Sequence, residues 1–481
     1  MTFWLLALGG LYALILVFIT LRSWRRTRDA QDYILAGSNI GVALGFLTFS
    51  ATLFSTFTLL GMPDFFRTHG VGAWIFLAVS DGAMAFLIVW FGFRLRRRAA
   101  QRGFRGVAGL LADVYGSRWA GVIYFGAIFI FLTPYVAIQI RGIGIFMSGT
   151  FPGLLPLWAW ASLVVIALVI YSEIGGLRAI IYSDAMQGLL LLLVTWIIAF
   201  ACIDSMGGVR AMFDEVRVVN EALLSVPGPQ NLFTLQFLIA SFLAIMLLPV
   251  TQPQLTTRIV IMRDMNGMKM MAVALAIFAM LVILPTAAIG MYGAVNHANV
   301  PAAEFLAQTL VLERATVLGA AVAIGLMAAA MSTADSQIFA LGSELRSLLT
   351  GSESSMLLRT KAAILIFALS ALLFSIVSSD QLVLLARVSF AGTSLLAPVI
   401  GAGILLQRPP PLAIVGPATC SALLLFILSL VGVVPGEPWG VRMDLLLLVG
   451  MTAIAGLSCL TRRPGDPEAL RAHSSTTVAS E

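Results

Sequence analysis

Read along its length, the chain is a succession of long apolar runs separated by short polar or basic segments. A helix needs about 20 apolar residues to cross the hydrocarbon core of a bilayer, and its backbone polar groups must be satisfied internally. The runs predict thirteen membrane helices, near residues 3–21, 39–61, 72–95, 118–147, 154–173, 179–201, 233–255, 270–296, 316–344, 361–378, 383–406, 411–433 and 443–460. They are too long and too continuous for barrel strands. The first run, Phe3–Leu21, lacks a positively charged leading segment and a small-residue cleavage site, and Arg22, Arg25, Arg26 and Arg28 follow it. It therefore reads as an anchor with its N-terminus outside rather than as a cleaved signal.

Composition narrows the class. Hydrophobic residues make up 60% of the chain and charged residues 11%, with a mean hydropathy of +0.99. Soluble proteins carry about 25% charged residues, so a soluble enzyme, a disordered chain and a nucleic-acid module are excluded. The net charge of +6 does not mark a nucleic-acid partner, because the cations cluster between apolar runs. Lys and Arg resist translocation and mark cytoplasmic loops. Arg22 to Arg28, Arg94 to Arg105, Arg178, Arg258, Arg263, Lys269, Arg346, Arg359, Lys361, Arg408, Arg462 and Arg463 fall on one side of the thirteen-helix topology. Only Arg67, Arg210, Arg217, Arg314 and Arg442 fall on the other. This places the C-terminus in the cytoplasm and the protein in the plasma membrane. Three scattered cysteines, and histidines (His69, His297, His473) that all lie outside the predicted helices, give no metal-ligand spacing. The long external loop, about 202–231, is expected to hold a short amphipathic helix, and the polar tail after Arg463 to be mobile.

Three stretches place polar groups at membrane depth, where an ionisable residue costs at least ~2.5 kcal/mol and signals function. The second predicted helix carries Ser50, Thr52, Ser55, Thr56 and Thr58, five hydroxyls in nine residues. Either they bond back to their own helix, or the helix unwinds there and its freed carbonyls bind a cation. In the ninth, Ala329, Ser332, Thr333 and Ser336 share one narrow arc, with Asp335 beside Ser332. These are hard oxygen donors of the kind that suit Na⁺, or a structural polar seam. At the junction of the fifth and sixth helices, Gly175-Gly176 marks a turn and Asp184 follows about one helical turn inside the sixth.

Taken together, the runs MSTADSQ and GGLRAIIYSDAMQ, the stretch DYILAGSNIG before the second helix, and Gln252-Pro253-Gln254 followed by Arg258 resemble the sodium:solute symporter family over about residues 30–410. The resemblance implies an all-α integral membrane protein with the leucine-transporter fold, a core of two inverted five-helix repeats. Its divisions here are an anchor helix and loop (1–38), a first repeat (39–202), an external loop (203–232), a second repeat (233–410), two peripheral helices (411–463) and a tail (464–481). It implies a principal Na⁺ site from the carbonyls of Ala51, Phe54 and Ala329 with the hydroxyls of Ser332 and Thr333. A second Na⁺ site near the cytoplasm would use Asp184, Ser332, Asp335 and Ser336. Asp335 stands where relatives carry a hydroxyl, so the two carboxylates call for a cation between them or for a proton on one.

Ser55, Thr56, Thr58, Tyr135 and Gln139 are the implied solute contacts. Proline-type relatives have an aspartate where Leu53 stands. Arg141 and Arg387 are the two arginines well inside predicted helices, and each is expected either to clamp a solute carboxylate in two-pronged fashion or to reach the outer interface. The expected activity is Na⁺-coupled uptake of a small organic solute, carboxylate-bearing like a monocarboxylate or an amino acid, by alternating access. The alternatives are a transport-like solute sensor and a proton-coupled symporter using Asp184 and Asp335. Neither a nucleic acid, an obligatory protein partner nor catalysis is expected.

Overall fold

The computed structural model describes residues 2–26, 33 and 35–460, and the side chains of 2, 167, 168, 170–175, 353, 354 and 357 lie outside what is described. Arg28, the start of the DYILAGSNIG stretch, Arg462, Arg463 and the tail therefore fall outside the described residues.

The described chain is helical, joined by one isolated backbone bridge between Ile40 and Met262. In order, the helices are α1 (Thr2–Trp24), α2 (Val42–Leu53), α3 (Phe57–His69), α4 (Gly72–Arg102), α5 (Val107–Tyr115), α6 (Arg118–Thr150), α7 (Leu157–Ser205), α8 (Val209–Asn220) and α9 (Leu235–Met246). There follow α10 (Pro253–Val260), α11 (Met265–Asn296), α12 (Ala302–Leu312), α13 (Thr316–Leu348), α14 (Glu353–Val377), α15 (Leu382–Ser394), α16 (Ala397–Leu405), α17 (Leu412–Leu430) and α18 (Met443–Leu460). Among the described residues nine helices are long and apolar enough to cross a membrane, or eleven if each of two bent pairs is one span. Two shorter apolar helices, Leu157–Ile166 and Leu235–Met246, occupy the fifth and seventh predicted positions.

The departures from continuous helix have local causes. α2 and α3 meet at a 56° bend. Phe54 adopts an extended conformation (φ −95°, ψ 115°), and the hydroxyls predicted to compete with the helix lie on and around it. The second predicted helix does not stop at Gly61, because Met62 and Pro63 continue it through one widened turn and it runs on to His69. His69 thus ends a helix and is buried against Phe65 and Phe233, contrary to its placement outside. The seventh predicted helix is likewise interrupted, with Gln252 extended between the turn Leu248–Thr251 and α10. Pro249 and Pro253 offer no N–H to carry the ladder across it. Within α7 the break falls at Gly176 (φ 62°, ψ −177°), a conformation glycine adopts freely, at the predicted turn.

Several arginines read as loop cations are structural. The Arg96 guanidinium donates to the carbonyls of Ile259, Val260 and Met262, closing the C-terminal end of α10. Arg98 does the same for Ile404 and Leu406 at the end of α16. Both satisfy carbonyls that a helix end leaves unpaired. The buried Glu344 of α13 accepts from the N–H groups of Val107 (2.9 Å) and Ala108 (2.6 Å), tying down the first turn of α5. Asp264 caps α11 by accepting from Gly267 N–H at 2.7 Å, and that bond holds its carboxyl below the usual range. The predicted amphipathic helix in the long loop is α8, which buries Met212 and Val216.

Candidate ion and solute site

α13 packs against α1, α2, α6 and α7, which brings its small-residue arc onto the break between α2 and α3. Phe54 N–H still bonds the Ser50 carbonyl at 2.8 Å, and the next bonds of the ladder run from Thr58 and Leu59 to the Ser55 carbonyl. Tyr135 hydroxyl donates to the Leu53 carbonyl at 3.3 Å. Across this gap the hydroxyls of Ser332 and Thr333 approach the Ala51 carbonyl at 3.1 and 3.3 Å. The structure thus joins Ala51, Ser332 and Thr333 directly and places Phe54 and Ala329, both buried, on the same two elements. This is a buried cluster of neutral hard oxygens, a donor set that fits an alkali cation.

One turn further along, the arrangement is richer than predicted. Asp184 Oδ1 accepts from Ser332 at 2.7 Å, so Ser332 belongs to both clusters. Asp184 Oδ2 accepts from Thr48 at 2.6 Å and from Arg258 Nη2 at 2.6 Å. Arg258 also donates to Ser336 Oγ (2.8 Å), Thr48 Oγ1 (3.0 Å) and the Gln254 carbonyl (2.9 Å). The pair is completely enclosed, with side-chain exposures of 1% for Arg258 and 0% for Asp184. Arg258, read from the sequence as a cytoplasmic loop cation, is therefore a buried counter-ion, because α10 packs against α2, α4 and α13 after the break at Gln252. It also changes the two-carboxylate argument. Asp184 already has a cation beside it, and Asp335, fully buried, is the carboxylate whose two oxygens have no hydrogen-bond partner.

The solute set converges at the same break. Ser55, Thr56, Thr58, Tyr135 and Gln139 are all buried. Thr58 Oγ1 accepts from Ser55 N–H (3.3 Å) and Ser55 Oγ from Phe57 N–H (3.2 Å), capping α3. Thr56 faces α6, where a Cβ at Gly142 would come within 2.4 Å of its methyl group. Gln139 Nε2 donates to the Tyr135 carbonyl, and Gln139 Oε1 and Thr56 Oγ1 are left without partners. The Phe390 ring stands edge-on to Tyr135 at 5.0 Å and to Phe57 at 6.2 Å.

Two cavities flank this seam. One, of about 90 Å³, is lined by Leu60, Asp64, Thr68, Asp380 and Gln381 among others. The other, of only about 10 Å³, reaches Arg258 and Ser336 from the end bearing Phe104 and Arg105.

Neither arginine proposed as a carboxylate clamp faces the seam. Arg141 pairs with Asp380 (2.8 Å) and bonds the Ser375 and Ile376 carbonyls at the end of α14. Arg387 is bonded to Asp444 of α18 and to Ser241 (2.9 Å), over the Phe237 ring. Their partners lie far away in sequence, and each guanidinium is used in joining helices. Asp81, nine positions into the third predicted helix (72–95), is a further ionisable residue at membrane depth. It is 2% exposed.

Comparison with known proteins agrees with this architecture. The profile of the Sodium:solute symporter family matches residues 33–408. The osmoregulated proline transporter OpuE of Bacillus subtilis (strain 168) is 24% identical over 54% of this chain and 52% of its own length. The sodium/pantothenate symporter of Haemophilus influenzae is 22% identical over 64% of this chain and 63% of its own. The chain spans about half the length of the curated relatives it matches. A structure described as a substrate-bound outward-open state of a Na⁺-coupled sialic acid symporter has TM-score 0.79 at 14% identity, over 96% of this chain and 98% of that one. At that identity the likeness speaks for the fold, which is that of leucine-transporter-like carriers. Because the profile covers well over half of the chain, the protein belongs to the sodium:solute symporter family.

Proposed function

We propose that the protein is a secondary transporter that couples inward Na⁺ movement to uptake of a small organic solute. The observation that carries the reading is the meeting of Ser332 and Thr333 hydroxyls with the Ala51 carbonyl at the broken helix. With Na⁺ between them, with the Phe54 and Ala329 carbonyls completing the shell, α13 is tied to the unwound segment on which Ser55, Thr56 and Thr58 are mounted. Release of the ion toward the narrow cleft that reaches Arg258 and Ser336 loosens that tie and lets the solute follow.

The same reading assigns the five-helix blocks 39–202 and 233–410 as inverted repeats, each opening on an interrupted helix, with the N-terminus outside and the C-terminus in the cytoplasm. The energetics suffice. One charge falling through 100 mV supplies ~2.3 kcal/mol, and a tenfold ion gradient adds about 1.4 kcal/mol. Together they sustain a solute gradient of several hundredfold. Asp335 supports a second cation close to the first, placed there because Arg258 already serves Asp184.

The test is uptake into proteoliposomes with and without an inward Na⁺ gradient. Removing two oxygen donors from a cation takes away about 1.5–3 kcal/mol each. Ser332→Ala with Thr333→Ala is therefore expected to raise the Na⁺ concentration for half-maximal uptake at least tenfold. An unchanged Na⁺ dependence sinks the site, and absence of counterflow in the wild type favours the sensor reading.

A further inference from the structure

α6 reaches both helix breaks. Its Tyr124 and Tyr135 are eleven residues, three turns, apart, and so project from one face at positions about 16 Å apart along the axis. Both side chains are buried, at 2% and 1% exposure, where a phenol hydroxyl needs a partner. Tyr135 donates to the Leu53 carbonyl at 3.3 Å, and Tyr124 donates to the Thr251 carbonyl at 3.1 Å. Each carbonyl belongs to the residue just before an interruption.

The two interruptions are near copies. Phe54 (φ −95°, ψ 115°) and Gln252 (φ −94°, ψ 121°) are extended alike. Each still gives its N–H to the turn behind it, Phe54 to the Ser50 carbonyl at 2.8 Å and Gln252 to the Leu248 carbonyl at 2.9 Å. The carbonyl that loses its partner is the one just before, which in an unbroken helix accepts from the N–H four residues on. For Leu53 that donor is Phe57, which bonds Ser55 Oγ instead, at 3.2 Å. For Thr251 it is Leu255, which bonds the Gln252 carbonyl at 3.2 Å. The two tyrosine hydroxyls take the vacated places. A buried carbonyl left without a donor is costly, so removing either hydroxyl favours rewinding of that helix.

We infer that Tyr124 and Tyr135 are positioning residues that hold the two broken helices unwound together, and that α6 thereby couples one break to the other. The inference rests on the carrier reading and adds how its two halves are kept in step. At the first break the effect on the ion is direct. Leu53 stands between Ala51 and Phe54, whose carbonyls are assigned to Na⁺, and rewinding turns them away from it. At the second break the effect travels through α10. Its Arg258 holds Asp184 at 2.6 Å, Asp184 accepts from Ser332 at 2.7 Å, and Ser332 reaches the Ala51 carbonyl at 3.1 Å. A contiguous chain of contacts therefore runs from the α10 end of the second break to the ion site, and Tyr124 acts on that site without being one of its donors.

The experiment is thermal melting of the purified full-length protein, titrated with NaCl at constant ionic strength against KCl. Tyr135→Phe and Tyr124→Phe, which remove only the hydroxyls, should each raise the Na⁺ concentration for half-maximal stabilisation about three- to tenfold. The double variant should fall short of the product of the two, because a bracket released at one end no longer holds the other. Tyr115→Phe is the control. It removes a hydroxyl bonded to the Val399 carbonyl at 2.8 Å, away from both breaks, and should leave the Na⁺ response unchanged. A lower melting temperature in KCl with an unmoved Na⁺ half-saturation in Tyr124→Phe shows a merely structural hydroxyl and overturns the inference. So does an equal shift in Tyr115→Phe, or a double variant that is the simple product. Hydrogen exchange in the wild type tests the coupling without any variant: peptides covering 50–59 and 248–256 should respond to NaCl together, and a response confined to the first overturns it. Failure of the sodium reading shows separately, as a wild-type melt indifferent to NaCl, and takes the inference with it.

Discussion

Arg258 and Asp184 offer a perturbation whose size follows from the geometry. Replacing Arg258 by Met removes the 2.6 Å ion pair and the bonds to Ser336 (2.8 Å), Thr48 (3.0 Å) and the Gln254 carbonyl (2.9 Å). Asp184 keeps the hydroxyls of Thr48 and Ser332 but has lost its counter-charge in a fully buried site. Breaking one side of a buried pair costs about 3–5 kcal/mol. Asp184→Leu leaves the guanidinium stranded and costs a similar amount. Removing both charges together leaves neither, and such replacements are often neutral, so the double variant should lie within about 2 kcal/mol of the wild type. The coupling is then at least about 4 kcal/mol, where independent sites would show none beyond about 0.5 kcal/mol. Equilibrium unfolding by SDS in mixed micelles, in Na⁺-free buffer, measures all four proteins on one scale. If the two single costs simply add in the double variant, the groups do not meet and the account of this end of the seam is wrong.

Two further outcomes follow from the same geometry. Asp335→Ser removes the carboxylate whose two oxygens have no hydrogen-bond partner and leaves a hydroxyl in its place. It is expected to change the number of Na⁺ moved per solute, read from parallel ²²Na⁺ and solute fluxes, and an unaltered ratio removes Asp335 from the ion pathway. Arg387→Leu and Arg141→Gln should lower the amount of folded protein recovered, yet leave the KM for solute within about twofold. Each guanidinium holds helices together rather than substrate, and a selective rise in KM of tenfold or more would return the carboxylate clamp to consideration.

What the sequence determined by itself was whatever depends on near neighbours along the chain. A twenty-residue apolar run buries its own backbone polar groups as a helix, so helix lies in each predicted stretch, although among the described residues nine to eleven, not thirteen, are long and apolar enough to cross a membrane. Five hydroxyls around Phe54 compete with the ladder from within one segment, and the break appears there. The arc of Ala329, Ser332, Thr333 and Ser336 is a consequence of helical period, and α13 does turn it onto the bundle interior. Charge partners were decided only by tertiary packing. Arg258 counted as a loop cation because nothing within ten residues shows that α10 packs against α2, bringing it to Asp184, 74 residues away. Arg387 and Asp444 are separated by 57 positions. Helical period is a property of one segment, whereas the partner of a buried charge is chosen by which helices cross, and that choice is written in the shapes of all of them at once.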